Sequence, residues 1–332
     1  MPFTKNFRTP AQLTAVARAA FRAHLEKYST ATLLPSQANY TLDFTFGAGD
    51  DVLPAAASFR SYSTESEVGT LVGGETRQGK LPPISIRTHV DEEQQLFMYN
   101  NQEGIGAAFE KRAVRNAQAV GSRIVLAQAE AIQDGKVTIA ERNLVLEVNF
   151  ARKAALTATA GTPWSTTATA TPLADLEAMR NVLGKRIVKS IVSQQAATYL
   201  QTNVDLIKTA LGRGTDLPTR ISWADVQAVF RDFNVGELEI NTETVVNRAG
   251  AEVPVYATDK VVILAGTQVG STELGVTAES LRADNGISQG EAPGLFSGAS
   301  EQDDPSGYNV LVSAIALPVA RATNNTASLD VF

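Results

Sequence analysis

Apolar positions in this chain switch repeatedly between a helical period of three to four and a strand period of two, and each switch marks an element. Leu13, Val16, Ala17, Ala20, Phe21 and His24 or Leu25 stripe one face of residues 10–28, with Thr9 placed to cap a helix and Pro10 suited to its first turn. Thr41–Phe46 alternates like a strand. Phe59–Glu65 and Ile84–Val90 read as the outgoing and returning strands of a long hairpin, with a Gly-rich, charged tip at Gly69–Lys80. Ile105, Phe109, Ala113, Ala117, Val120, Ile124 and Gln128 then recur at helical spacing across 103–133. That is roughly 45 Å of helix at about 1.5 Å per residue, stopped by Asp134-Gly135. Lys136–Ala140 and Leu144–Phe150 alternate on either side of Glu141-Arg142-Asn143, which reads as a second hairpin.

Signals in the second half are shorter. Thr171-Pro172 opens a helix that Gly184 ends, and residues 194–211 are helical with a break at Thr202-Asn203. Ser222 caps a helix over Trp223–Phe230. Strands are expected at 238–246, 253–256 and 260–265, a loop at 291–307, and two closing strands, 308–316 and 319–323, separated by Pro318. No repeat of solenoid period occurs.

A two-stranded ribbon alone buries too little surface to offset the ordering of its chain. The hairpin is therefore expected to lie on something outside its own domain, which points to assembly before catalysis. Charged residues make up 19% of the 332 residues, below the usual quarter or so, which fits either an uncharged, Ala/Thr-rich surface or one that largely faces other subunits. The net charge is −6 and Lys and Arg form no block, which argues against dedicated nucleic-acid recognition but suits the lining of a container. With no cysteine, disulfides, thiolate metal sites and thiol nucleophiles are excluded. The Met1–Phe7 start lacks a basic segment followed by an apolar core, and no apolar run approaches the ~18–20 residues of a membrane span. A soluble chain made in the cytoplasm, with no membrane partner, is expected.

Candidate chemistry is thin. Gly74-Glu-Thr-Arg-Gln-Gly79-Lys80 spells the skeleton of a phosphate loop, but Leu81 stands where Ser or Thr should bind magnesium, and Pro82-Pro83 follow where a helix should begin. His24 and His89, the two histidines, cannot form a metal triad and read as packed or interfacial. No Gly-x-Ser-x-Gly elbow occurs. The paired acids Asp50-Asp51, Asp91-Glu92-Glu93 and Asp303-Asp304 fall at turns and loop edges, where solvation or intersubunit ion pairs explain them. No catalytic, cofactor or metal site is expected.

The order of elements resembles the major capsid proteins of tailed bacteriophages, those with the Hong Kong 97-type fold. Trp223–Phe233, Glu252–Tyr256, Lys260–Leu264 and Thr272–Ser280 are similar to its lambda-like branch. The resemblance implies an α+β fold with an N-terminal arm (1–54) and an extended-loop hairpin (55–97). It implies a peripheral domain of spine helix and antiparallel sheet (98–184), an inserted axial domain (185–304), and return strands of the peripheral domain (305–332). It further implies a non-enzymatic subunit of the virion capsid, a homo-oligomer whose pentamers and hexamers build an icosahedral shell in the host bacterial cytoplasm. Packaged double-stranded DNA, held without sequence preference, and scaffold, portal and decoration proteins would be its partners. A cellular nanocompartment shell of the same fold and a soluble α+β hydrolase are the alternatives. On this resemblance, Gly73, Gly74, Glu75, Arg77 and Lys80 would lie over a neighbouring subunit. Phe21 and Leu25 would clasp one, and Arg213 and Arg231 would pack within rings. Some members of the family join subunits through a loop lysine and a peripheral-domain asparagine, for which Lys80 and Asn324 or Asn325 are the matching segments.

Overall fold

The computed structural model describes residues 3–48, 75–97, 102–212, 217–303 and 306–332. The N-terminal part contains α1 (Pro10–Leu25), α2 (Thr30–Leu33), β1 (Ser36–Ala38), β2 (Asp43–Ala48), β3 (Glu75–Lys80), β4 (Pro83–Val90), α3 (Glu92–Phe97), α4 (Gln102–Asp134), β5 (Lys136–Glu141) and β6 (Leu144–Asn149). Thr9 caps α1 through a reciprocal box: its hydroxyl accepts from the Gln12 N–H, and the Gln12 side chain accepts from the Thr9 N–H. The 33-residue α4 runs down the middle of this part, and its Ala113 and Ala117 let neighbours approach closely. The β5–β6 hairpin turns on Arg142 (φ 43°) and Asn143 (φ 66°), the pair of left-handed residues that suits a two-residue turn between twisted strands.

The remainder contains β7 (Thr157–Thr159), α5 (Pro172–Leu183), β8 (Lys189–Ser193), α6 (Gln194–Thr202), α7 (Val204–Leu211), α8 (Trp223–Asp232), β9 (Glu237–Asn241), β10 (Thr244–Val246), β11 (Glu252–Pro254), β12 (Lys260–Leu264), β13 (Gly270–Leu274), β14 (Phe296–Gln302), β15 (Gly307–Ala320) and β16 (Thr326–Asp330). The α6–α7 break falls at Asn203. Its buried side chain caps α7 at the Leu206 N–H (3.0 Å) and donates to the carbonyls of Thr167 and Ala170. Trp164, fully buried, donates its indole N–H to Asp175 at 3.0 Å and so pins the Ala/Thr-rich 154–171 segment to α5.

Two five-stranded sheets organise the chain. One runs β1-β13-β15-β14, with β4 also paired to β15; the other runs β7-β16-β12-β8-β9. The second sheet is a partition. Val262 and Leu264 of β12 and Ile191 of β8 face a core built on α1, α4 and the first sheet. Val261 and Ile263 of β12 and Val192 of β8 face a second core built on α5, α6, α7 and α8. Both faces of β12 are buried, which is why Lys260–Leu264 reads as a continuous apolar run rather than an alternation.

Several expectations are corrected. The returning strand Ile84–Val90 exists and pairs with β15, while Glu75–Lys80, expected within the hairpin tip, is a strand paired with Asp43–Ala48. Phe59–Glu65, Gly73, Gly74 and Arg213, and the side chain of Glu75, lie outside the described residues. Lys80, expected at a hairpin tip, stands at the foot of the β2–β3 ribbon opposite Asp43. The α1 stripe does not wait for a neighbour: Phe21 and Leu25 are only 5% and 4% exposed, packed in the chain's own first core. Periodicity displayed the stripe but not its partner, α4, some ninety residues away. Residues 296–302, expected in a loop, form β14. Pro318 does not separate two strands but lies within the 14-residue β15. Among the described strands β13 alone pairs with β15 beyond Ile315, so a missing N–H at Pro318 on the opposite side breaks no described ladder. Each of the two cores draws on segments distant in sequence. β13 and β14 belong with the first core's sheet, while α5 and the C-terminal Ala327, Leu329 and Val331 belong with the second core.

Candidate assembly surfaces

The β2–β3 ribbon is anchored at its foot. Phe44, Phe46 and Leu81 are buried in the first core, and Phe46 meets Phe150 edge-on at 5.5 Å. Arg77 donates to the Asn149 carbonyl at 3.4 Å, tying the ribbon to β6. The N-terminal segment is clamped by Arg8, which binds Glu103 and Glu110 at 2.6 Å each and holds the Glu103 carboxyl below the usual carboxylate range. On α1, Thr14 and Arg18 bond to backbone at Ser297 and Leu295, so the helix is latched onto β14 and the turn before it.

The candidate cross-link residues are separately engaged. Asn324 accepts from the Lys153 N–H at 3.1 Å, and Asn325 accepts from the Lys185 ammonium at 2.5 Å, while no hydrogen bond links Lys80 to either. Arg231 is exposed in the last turn of α8. Next to it, Phe233 is 41% exposed, with its carbonyl held by Arg180.

The histidines sit where the sequence suggested, packed against other elements. His24 contacts Ser122 of α4 at 3.0 Å, and burial, then Lys27, pull its pKa below the ordinary value. His89 contacts Asn309 of β15 at 3.2 Å. Arg152 donates to the Ile132 carbonyl at the end of α4, where a cation complements the helix dipole; burial pushes it down to about 10, with Asp134 acting the other way. A recess of about 460 Å³ between β8–α6 and β9–β11 contains Glu243. That carboxylate is committed to Ser29 and Asn241, from which it accepts three bonds of 2.8–3.0 Å, so its role is to hold the arm. Among the described residues no group of three or more His, Asp or Glu could hold a metal ion, and no helix is long and apolar enough to cross a membrane.

Two exposed features escaped the sequence reading. On α3, Leu96 and Phe97 are 67% and 85% exposed, separated from the acids Asp91, Glu92 and Glu93 by Gln94 and Gln95. Beside α4 lies a groove of about 480 Å³, walled by β4, α4 and the β5–β6 hairpin, with Arg142 and Arg248 among its lining residues. Each was invisible because a lone Leu-Phe pair has no period, and a groove is made by segments distant in sequence.

A family model described as phage major capsid protein E matches residues 11–331. No curated protein matches the sequence. A crystal structure assigned as the capsid protein of an Escherichia coli CFT073 prophage is similar over 95% of this chain and 99% of that one, at 14% identity and a TM-score of 0.61. The capsid of Myoviridae phage XM1 is similar over 91% and 90%, at 9% identity and 0.48. An encapsulin complex of Synechococcus elongatus PCC 7942 is similar over 90% and 85%, at 12% identity and 0.43. The first of these shows a shared fold.

Proposed function

Because the chain belongs to the phage major capsid protein E family, a family of shell-forming structural proteins of the virion, we propose that its copies close as pentamers and hexamers into an icosahedral shell around double-stranded DNA. The observation that carries this reading is the family match from residue 11 to residue 331. The low charge content and the exposed Leu96, Phe97 and Phe233 support it, since surface that is apolar in one copy is covered in an assembly. The core built on α4 and the first sheet is the peripheral domain, and the core built on α5–α8 is the axial domain that lines the rings. Arg231 lies on this second part, in position to meet an acidic neighbour around a ring. The β2–β3 ribbon is anchored at its foot, in the first core, by Phe44 and Phe46, and its Arg77 and Lys80 are the residues that would meet an adjacent subunit. Lys80, exposed at that foot, is the lysine available for a covalent link; Asn324 and Asn325 would first have to release Lys153 and Lys185. Scaffold, portal and decoration proteins are further partners, and assembly takes place in the bacterial cytoplasm. Nothing observed favours the nanocompartment or hydrolase alternatives.

Electron microscopy of the purified protein after size exclusion tests the reading. Closed shells, tubes, or rings of five and six copies are expected. A monomer that stays monomeric at high concentration, with and without a co-expressed scaffold, overturns it. A covalent ladder on a denaturing gel, absent in Lys80→Arg, is the outcome expected of a cross-linked shell; a single band rules the link out.

A further inference from the structure

We propose that α3 of one copy seats in the groove beside α4 of the next copy, a head-to-tail contact; the proposal rests on the shell reading. α3 presents two kinds of unmatched surface. Glu92 and Glu93 have no ion pair among the described residues, and Leu96 and Phe97 are the exposed apolar residues of the following turn. Each acid is four residues before an apolar side chain, so acid and apolar group stand on the same side of the helix.

The groove is the complement. Ile86, Val120, Ile139 and Leu144 make its wall apolar. Arg142 and Arg248 are exposed in its lining and have no ion pair among the described residues. Glu141, its one carboxylate, is already bonded to Arg123 at 2.7 Å. The unpaired charge of the groove is therefore positive, and that of α3 negative, in a chain whose net charge is −6. Opposed patches of this kind orient an encounter and exclude wrong registers.

In its own chain α3 is held elsewhere, so the occupant is another copy: Arg112, on the stretch of α4 before the groove, donates to the Gln94 side chain of α3 and to the His89 carbonyl. From Phe97 to Gln102 the backbone reaches at most about 18 Å. The groove begins at Ala119, about 25 Å along α4 from Gln102 at ~1.5 Å per residue. The link to Gln102 therefore does not carry Phe97 of the same chain as far as Ala119. Because donor and acceptor surfaces differ, the contact is heterologous and can repeat around a ring.

The absence of cysteine makes the test clean. Copies carrying only Phe97→Cys are mixed with copies carrying only Leu144→Cys, allowed to assemble, and oxidised. A band of twice the subunit mass is expected in the mixture and in neither variant alone. Shells that form without that mixed cross-link, or a cross-link from Phe97→Cys alone, overturn the contact and leave the shell reading intact. A mixed cross-link in a protein that never forms shells has the opposite meaning: the contact stands and the shell reading fails. As a second measurement, Glu92→Lys with Glu93→Lys, and separately Arg142→Glu with Arg248→Glu, should each lower shell yield by about tenfold or more, and the four changes together should restore it. Wild-type yield from both reversed pairs, with thermal unfolding unchanged, also overturns the contact.

Discussion

A single amide shows how closely the arm, spine and sheet depend on one another. Gln128 of α4 donates to the Leu34 carbonyl and the Thr272 hydroxyl at 3.2 and 2.7 Å, and accepts from the Thr30 hydroxyl at 2.8 Å. Replacing it with leucine leaves the buried Thr30 hydroxyl without its acceptor, while the Thr272 hydroxyl keeps its own bond to the Leu34 carbonyl at 2.9 Å, so Gln128→Leu should lower stability by about 1–3 kcal/mol, read as a shift in the urea midpoint. His24 gives a pH dependence of definite sign. Its pKa is lower folded than unfolded, so the unfolded chain binds the extra proton first. Its contribution is complete above the ordinary histidine value and is lost as pH falls through the lowered one. Comparing melting temperatures at pH 7 and pH 5 should therefore show a smaller acid loss in His24→Gln than in the unmodified protein. Gln128 was legible as a stripe position at helical spacing. Its partners were not, because they lie 94 to 144 residues away in the chain.

Among the elements, those with local punctuation could be read directly. Thr9-Pro10 starts α1, Asn203 separates α6 from α7, Ser222 caps α8, and Arg142-Asn143 turn one hairpin. Pairing could not be read, because register is decided by which other segment offers a complementary edge. The strand at 84–90 was visible, but its partner β15 was not, and Pro318 inside β15 was tolerated for a reason visible only in the sheet. Asn203→Ala removes a cap and uncovers two carbonyls at once. A loss of about 2–3 kcal/mol is expected, measurable by chemical unfolding, whereas Asn203→Asp should keep the cap and lose only the two donated bonds.

For the molecule as a whole, the order of elements was enough to indicate a shell subunit, while the division of labour between cores was not. The boundaries at 184/185 and 304/305 cut across both cores, since the second core takes α5 from before the first cut and Ala327–Val331 from after the second. A fragment of residues 185–304 should accordingly fail to fold alone. Adding 154–184 and a tethered 326–332 strand should restore cooperative unfolding followed by circular dichroism. In the intact subunit the shared sheet should make heat unfolding one transition, with calorimetric and van't Hoff enthalpies equal. Two separated transitions would show that the cores are independent.

The double-faced β12 also bears on how such chains can diverge. Inserting one residue into it would exchange Val261 and Ile263 with Val262 and Leu264, handing each core the side chains shaped for the other. A lineage can drift in residue identity along this strand, keeping volumes roughly constant, but cannot change its length by one and survive. Gains and losses should instead gather where one side is open, as at the β10–β11 turn with its exposed Ala249-Gly250-Ala251. Aligned relatives should therefore share a five-residue β12 without gaps, long after their sequences have ceased to resemble one another.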